Sequence, residues 1–462
     1  MSLSAPTYPS YKATGVPWLG DVPEHWDLIR GKWLFRSRKV INADGRNTNI
    51  LSLTLRGVVN NDPDNPEGLV PKDYASYQVF EAGDLVFKLI DLENLRTSRV
   101  GLVHEEGIMS PAYVRLTPMH GGDQRYFYYQ YYDLYQRGIY NQLGAGVRST
   151  LSASDLLDVE VLVPTAAEQA AIVRFLRYAE LRLRGFAKSK QRMIALLDEQ
   201  KQTMIHQAVT RGLDPTVPRK SSGIDWQPDV PEHWRVMPIK RAFASMDYGI
   251  SESAVDDGAI RLLTMGHIRD GRVTVPDTGG VEDVPAELLL RRDDLLFNRT
   301  NSAALVGKVG LFAGADGPVT FASYLVRMRP RQDHDPAYLN LVLNDRGALA
   351  AARREAIPSL HQSNLNPTRY GRLPIALPPL DEQRAIVVAM QQATQTIDDA
   401  VDRARREVSL IGEFWTRLAA DAVTGKLDVR SVAKTLPDLS DAMSDAPSPI
   451  TVSGQADVEE AA

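Results

Sequence analysis

Cysteine is missing from all 462 residues, which excludes disulfides and thiolate metal ligands and fits a reducing cytoplasm. Long apolar runs are missing too. None approaches the roughly 20 residues that span a bilayer, and the opening MSLSAPTYPSYKATG lacks the apolar core of a signal peptide, so no membrane association and a cytoplasmic location are expected. An excess of positive charge is also lacking: the formal net charge is −5, whereas a free-standing nucleic-acid binder is usually basic overall.

Motifs that carry chemistry are equally scarce. GKVG at Gly307 has neither the spacing nor the hydroxyl of a phosphate-binding loop, and Asn366-Pro367-Thr368-Arg369-Tyr370 does not match the Asn/Asp-Pro-Pro-Tyr/Phe of adenine methyltransferases. Asp198-Glu199-Gln200-Lys201 echoes a nuclease Glu-x-Lys only superficially; within a helical stretch it reads as a solvated charge run. His25 and His233 have no second His or paired carboxylate at ligand spacing, which disfavours a metal site. The chain is expected to have no active site, no metal and no cofactor of its own.

What is present is a 44% apolar, 24% charged composition suited to two or three soluble domains, and one conspicuous repetition. DVPEHW occurs at Asp21 to Trp26 and again at Asp229 to Trp234. The similarity continues in order: GDLVF (Gly83 to Phe87) with DDLLF (Asp293 to Phe297), SPAYVRLTP (from Ser110) with FASYLVRMRP (from Phe321), and VEVLVPTAAEQAAIV (from Val159) with LPIALPPLDEQRAIV (from Leu373). AVTRGLD at Ala208 and AVTGKLD at Ala422 close the two copies. The spacing between copies grows from 208 residues to a constant 214, so insertions fall in the front part of each copy and the last segments have equal length.

The front parts mix short Val/Leu/Ile/Phe runs with Gly, Pro, Asn and Asp, which is strand-and-turn chemistry. Each also holds a helix-like stretch, and the tyrosines of RYFYYQYYDLYQRGIYNQL from Arg125 suit either a core helix or stacking on bases. After Pro164 and Pro378 the sequence turns strongly helical. Apolar residues step by four and three: Ile172, Leu176, Ala179, Leu183, Phe186, Met193, Leu197 and Met204 in one copy. In the other they are Ile386, Met390, Ala393, Ile397, Ala400, Ala404, Ile411, Phe414 and Leu418. Such a heptad seam predicts two long helices packed along their length. Lys190 and Glu407 interrupt the seams near their middles and would lie within about a turn of each other if the pair is antiparallel; the alternative is that both simply reach solvent.

The LPPLDEQRAI string at Leu377 to Ile386, AVTGKL at Ala422 to Leu427 and DLLFNRTNS at Asp294 to Ser302 resemble the specificity subunit of type I restriction-modification systems, over roughly residues 15–430. The first copy departs slightly, with VPTAAEQAAI and AVTRGL. The resemblance implies an α+β protein of two homologous α/β target recognition domains, residues 1–163 and 215–377, separated by two long helices in an antiparallel coiled coil with pseudo-two-fold symmetry. The helices would occupy residues 164–214 and 378–428, ahead of a disordered acidic tail at 429–462. It implies a non-catalytic subunit that binds double-stranded DNA, each domain reading half of a bipartite target. Two methyltransferase subunits would dock on the helices and supply S-adenosylmethionine, and motor-nuclease restriction subunits would join them.

On that reading, base contacts need side chains that present paired donors and acceptors. Loops after the matched DLVF and DLLF strands offer Lys88, Arg96 and Arg99 in the first domain and Asn298, Arg299, Thr300, Asn301 and Lys308 in the second. A second patch would carry Arg148 and Ser149 in the first domain and His361 and Asn364 in the second. Seam or partner contacts are expected at Ile172, Leu176, Phe186, Leu197, Ile386, Met390, Ile397 and Phe414. The basic run Arg30, Lys32, Arg36, Arg38, Lys39, Arg46 and Arg56, with Asp44 as its one acid, suits phosphate better than bases. A tandem DNA-binding regulator and a helical adaptor for protein or sugar are the rival readings, and the steepness of salt dependence separates the latter from a DNA binder.

Overall fold

A computed structural model describes residues 7–437 except 56, 63–73, 91, 93–99, 144–149 and 360–361. They form two compact units, one of residues up to 191 together with those from 405 onward, the other of residues 192–404. Neither unit matches one copy of the duplication. Each contains one globular head, the start of the long helix that follows that head, and the end of the long helix belonging to the other copy. The helices are Ala166–Arg211 and Leu380–Val423, each continuous.

Each head is built on its own copy of one sheet order. In the first, antiparallel strands run in the order Phe35–Arg36, Val114–Pro118, Leu85–Phe87, Val100–Leu102. In the second, the same order recurs as Phe243–Tyr248, Leu325–Pro330, Leu295–Asn298, Val309–Leu311, with two short strands added at the Val309–Leu311 edge. Leu85 lies opposite Leu116 and Leu102, and Leu295 opposite Met328 and Leu311, so even the register is repeated. A buried acid begins each central strand. Asp84 forms an ion pair with Arg115 Nε at 2.6 Å and accepts from Thr117 at 2.8 Å; Asp294 accepts two 2.8 Å bonds from the Arg329 fork.

The tyrosine stripe is core. Tyr126, Tyr128, Tyr129, Tyr131 and Tyr132 of the helix Gln124–Gln136 are all buried, and Tyr129 donates to Glu180 of the first long helix at 3.0 Å. Burial pushes these hydroxyls far above their ordinary pKa, so they stay neutral donors.

The repeated motifs meet at the junction of head and helices. Trp26 and Trp234 are fully buried. His25 bonds to Glu168 at 2.8 Å and His233 to Glu382 at 2.6 Å, joining DVPEHW to the Glu-Gln that opens each long helix. Gln169 and Gln383 complete the latch. Their oxygens accept from the backbone amides of Asp123 and Asp335, the N-cap residues of the head helices, at 3.0 and 2.8 Å. Their amide nitrogens donate to the carbonyls of Pro164 and Pro378 at 3.0 and 2.9 Å. The glycine of the closing motif supplies the floor: Gly425, at φ +75°, faces Pro23 and Trp26, and Gly212, at φ +74°, faces Pro231 and Trp234. A Cβ at Gly425 would come within 2.3 Å of Pro23, so glycine is required by space as well as by φ.

Within each unit the two long helices run in opposite directions. In the first unit Ile172, Leu176 and Ala179 share a core with Trp415, Leu418, Ala422 and Val423, and Lys190 pairs with Glu407 at 2.6 Å. In the second, Ile205, Ala208 and Val209 share a core with Ile386, Val387 and Met390, and Lys201 pairs with Asp398 at 2.5 Å. Ile172, Leu176, Ile386, Met390 and Ile397 are buried and Leu197 is half-buried, but Phe186 is 57% and Phe414 45% exposed. The seam passes one residue later at those points, through Ala187 and Trp415. On the second helix its frame is Val387, Met390, Thr394, Ile397, Val401, Ala404 and Val408, not Ala393 and Ala400. A further correction concerns the tail. Residues Arg430–Thr435 are helical, with Val429 and Ala433 buried in the first unit, because apolar residues recur there at helical spacing through Leu436. The rest of the expected disordered segment, 438–462, lies outside the described residues.

Candidate nucleic-acid interface

In the second head the two loops singled out by sequence come together. Leu365 N donates to Arg299 O at 2.7 Å, and Thr300 and Asn301 pair antiparallel with Asn364 and Ser363. In the first head Leu151 N donates to Leu89 O at 3.1 Å, at the positions equivalent to Leu365 and Arg299. Strand and returning loop thus form one surface in the second head, built on the central strand that the buried Asp294 anchors, and the first head repeats the bond at its base.

The second head shows its chemistry in full. The Arg299 guanidinium lies over the Tyr248 ring, 5.1 Å from its centre, and donates to Ser323 O and Asn364 Oδ1, both at 3.1 Å. Asn364 donates in turn to Thr300 Oγ1 at 3.3 Å. Asn298 is only 2% exposed and donates to Met265 O at 3.3 Å, and Asn301 Oδ1 accepts from the Ser302 amide at 2.8 Å. Lys308 is half-buried. Three buried polar atoms here have no partner among the described residues: Asn298 Oδ1, Arg299 Nε and Ser302 Oγ. Tyr248 and Tyr324, 48% and 46% exposed, flank them. The exposed rings and the pre-set guanidinium suit the flat faces and polar edges of bases. Ser302 and Tyr324 stand inside the matched DLLFNRTNS and FASYLVRMRP strings without a role being legible there, and Tyr248 lies in neither string.

In the first head Lys88 follows its strand half-buried. Arg96, Arg99, Arg148, Ser149 and, in the second head, His361 lie outside the described residues. Of the basic run, Arg30 and Lys32 pair with Asp158 at 3.9 and 2.9 Å, Arg46 with Asp44 at 3.1 Å, and Lys39 donates to Pro111 O at 2.8 Å. Among the described residues no group of His, Asp and Glu is disposed to hold a metal ion, and no helix is long and apolar enough to cross a membrane.

Comparison with known proteins follows the same line. No family model matches the chain. A protein of Methanocaldococcus jannaschii named as a type I restriction enzyme specificity subunit is 27% identical over 164 residues, 34% of this chain. The match spans about two fifths (39%) of that relative's length. A solved structure described as bearing on complex assembly and conformational transition of the type I R-M system superposes with a TM-score of 0.59 at 14% identity, over 88% of this chain and 99% of that one. That likeness is one of fold. The HsdS subunit of Thermoanaerobacter tengcongensis matches over 88% of this chain and 98% of its own at 16% identity, with a TM-score of 0.38, too low for arrangements to be compared. The resemblance carried by the repeated motifs therefore has a counterpart in a curated relative, and the fold has one in a solved structure bearing on the type I R-M system.

Proposed function

We propose that this chain is the DNA-specificity subunit of a type I restriction-modification complex. Each head reads one half of a bipartite asymmetric target, and the two long helices, as an antiparallel coiled coil, set the spacing and dock two methyltransferase subunits. The chain itself is non-catalytic and acts in the cytoplasm; S-adenosylmethionine belongs to the methyltransferase subunits, and motor-nuclease subunits complete the complex. One observation carries this reading: each head has its own copy of the same sheet order, register and latch, yet the loop sequences that follow the matched strands differ between them. Identical scaffolds with divergent loops are what reading two unlike half-sites requires.

Base contacts are proposed at Lys88, Arg96, Arg99, Arg148 and Ser149 in the first head and at Arg299, Thr300, Asn301, Lys308, His361 and Asn364 in the second, with Tyr248 added from the geometry and Asn298, buried and turned inward, acting on the surface only as a brace. The test is methylome mapping after co-expression with a cognate methyltransferase subunit. Replacing Asn301 with Ala should relax one half-site and leave the other intact; each base-edge contact of this kind discriminates by about 1–3 kcal/mol. Relaxation of both halves together would sink the modular reading. Methyl transfer by the purified chain alone would sink the non-catalytic one.

A further inference from the structure

The two heads carry matching surfaces of opposite character beside the latch. In the first, the turn Gly31–Trp33 packs against the short helix Ala153–Asp158; in the second, the turn Ile239–Ala242 packs against Pro367–Arg372. A shared backbone bond fixes the equivalence: Gly31 N to Val159 O at 2.9 Å, and Ile239 N to Leu373 O at 2.9 Å. A second bond extends it, Met119 N to Leu34 O at 2.9 Å matching Arg331 N to Ala242 O at 3.0 Å.

Position by position the chemistry inverts. Trp33, 65% exposed, becomes Arg241; Met119, 40% exposed, becomes Arg331; Asp155 becomes Arg369 and Asp158 becomes Arg372. Lys32 is retained as Lys240. In the first head Asp158 neutralises Lys32 and Arg30, and Asp155 is held in a capping box with Ser152. In the second, Lys240, Arg241, Arg331, Arg369 and Arg372 are all exposed, and none forms an ion pair among the described residues. Lys240 lies against Gly371, between Arg369 and Arg372, which are three residues apart and so share one helix face. Asp333, two residues beyond Arg331, is the acid nearest to the group in sequence.

Five exposed cations without an acidic partner among the described residues, on the turn, the helix packed against it and the strand end bonded to it, make this part of the second head locally positive despite the negative net charge. We infer that this face of the second head is a sequence-independent phosphate contact for duplex DNA, absent from the first head, so that the two heads grip the backbone unequally. The inference rests on the functional reading above. Duplex DNA is favoured over an acidic protein face because the same chain already presents base-reading chemistry on this head, and phosphate contacts are what position such a reader.

The experiment is the salt dependence of binding of the full chain to a fluorescent 40-base-pair duplex lacking any target site. In the variant Arg241→Gln/Arg369→Gln/Arg372→Gln, the log–log slope should fall by about 0.9 for each lost phosphate contact, up to about 2.7. A fourfold reduction in salt would then strengthen its binding about 40-fold less than it strengthens the wild type's. The triple Arg→Lys variant should keep the wild-type slope, and Trp33→Gln/Met119→Gln in the first head should leave it unchanged. An unaltered slope in the Gln variant would overturn the inference, as would loss of methyltransferase co-purification without any change in slope, which would assign the face to a protein. Failure of the wild type to bind any duplex would instead overturn the functional reading.

Discussion

Gly83 and Asp293 occupy the same turn in the two heads, each donating its amide to the neighbouring strand at 2.9 Å, and both sit at positive φ, 91° and 73°. Glycine adopts that conformation without strain, whereas an L side chain does not. Asp293→Gly should therefore stabilise the second head by about 0.5–1 kcal/mol, and Gly83→Ala should destabilise the first by about 1 kcal/mol or more, both read as shifts in denaturant midpoint. Arg299 presents a different residue-scale question. Its loop was legible from the matched DLLF strand, but the direction of its side chain was not, because a guanidinium reads the same in sequence whether it faces solvent or folds back. Here it stacks on Tyr248 and binds Ser323 and Asn364, while the neighbouring Asn298 points inward. Arg299→Lys keeps the charge but loses the planar fork. It should lower second-head stability by about 1–2 kcal/mol and blur recognition of one half-site, measured by chemical denaturation and methylation mapping. If stability falls and recognition is untouched, Arg299 acts only as a brace.

At the scale of elements, the latch between head and helix explains why the repeated motifs exist at all. Burial opposes ionisation of Glu168, yet the bonds from His25 and Thr165 hold its carboxyl below the ordinary value; Arg430 does the same for Asp428 nearby. A carboxylate whose folded pKa is depressed adds stability that is present above its unfolded value and lost as pH falls through the folded one. The first unit should accordingly loosen below about pH 4.5, the ordinary value for Glu168. Glu168→Gln should cost about 1–3 kcal/mol at pH 7 and flatten the fall of the melting temperature below about pH 4.5. A profile identical to wild type would show that the latch carries no charge-dependent stability. The Glu-Gln and DVPEHW motifs were visible in sequence as a repetition, but their meeting was not, since it joins residues 143 positions apart in one unit and 149 in the other. The long helices were more legible. Their existence followed from periodicity and the Lys190–Glu407 approach was one of the two readings it left open, yet the frame slipped at Phe186 and Phe414 because each stands beside a second apolar residue, Ala187 or Trp415, that the seam takes instead. Lys190 and Lys201 pair with half-exposed partners, so each ion pair is worth at most about 1 kcal/mol and sets register more than stability.

For the whole molecule, sequence disclosed that the chain is duplicated but not that each compact unit is assembled from both copies, because a heptad seam records that a helix is covered without recording what covers it. Each long helix is continuous across the point at which the units divide, between residues 191 and 192 or between 404 and 405. If the proposed spacer role holds, inserting four residues at matched positions in both helices lengthens each by about 6 Å and turns one end by about 40°, from 1.5 Å and 3.6 residues per turn. Four residues nearly complete a turn, so the seam is only mildly unwound and should still pack. One base pair of B-DNA advances about 3.4 Å and about 35°. Rotation thus favours a gap longer by one base pair, whereas translation alone would allow nearly two. Rotation should win, because a head that faces the wrong side of the duplex reads nothing, while a residual of a few ångströms is taken up by bending DNA at a cost of a few kcal/mol. Mapping methylated sites for the insertion variant decides it: unchanged half-sites one base pair further apart are expected, and an unchanged gap would show that the helices do not measure the spacer.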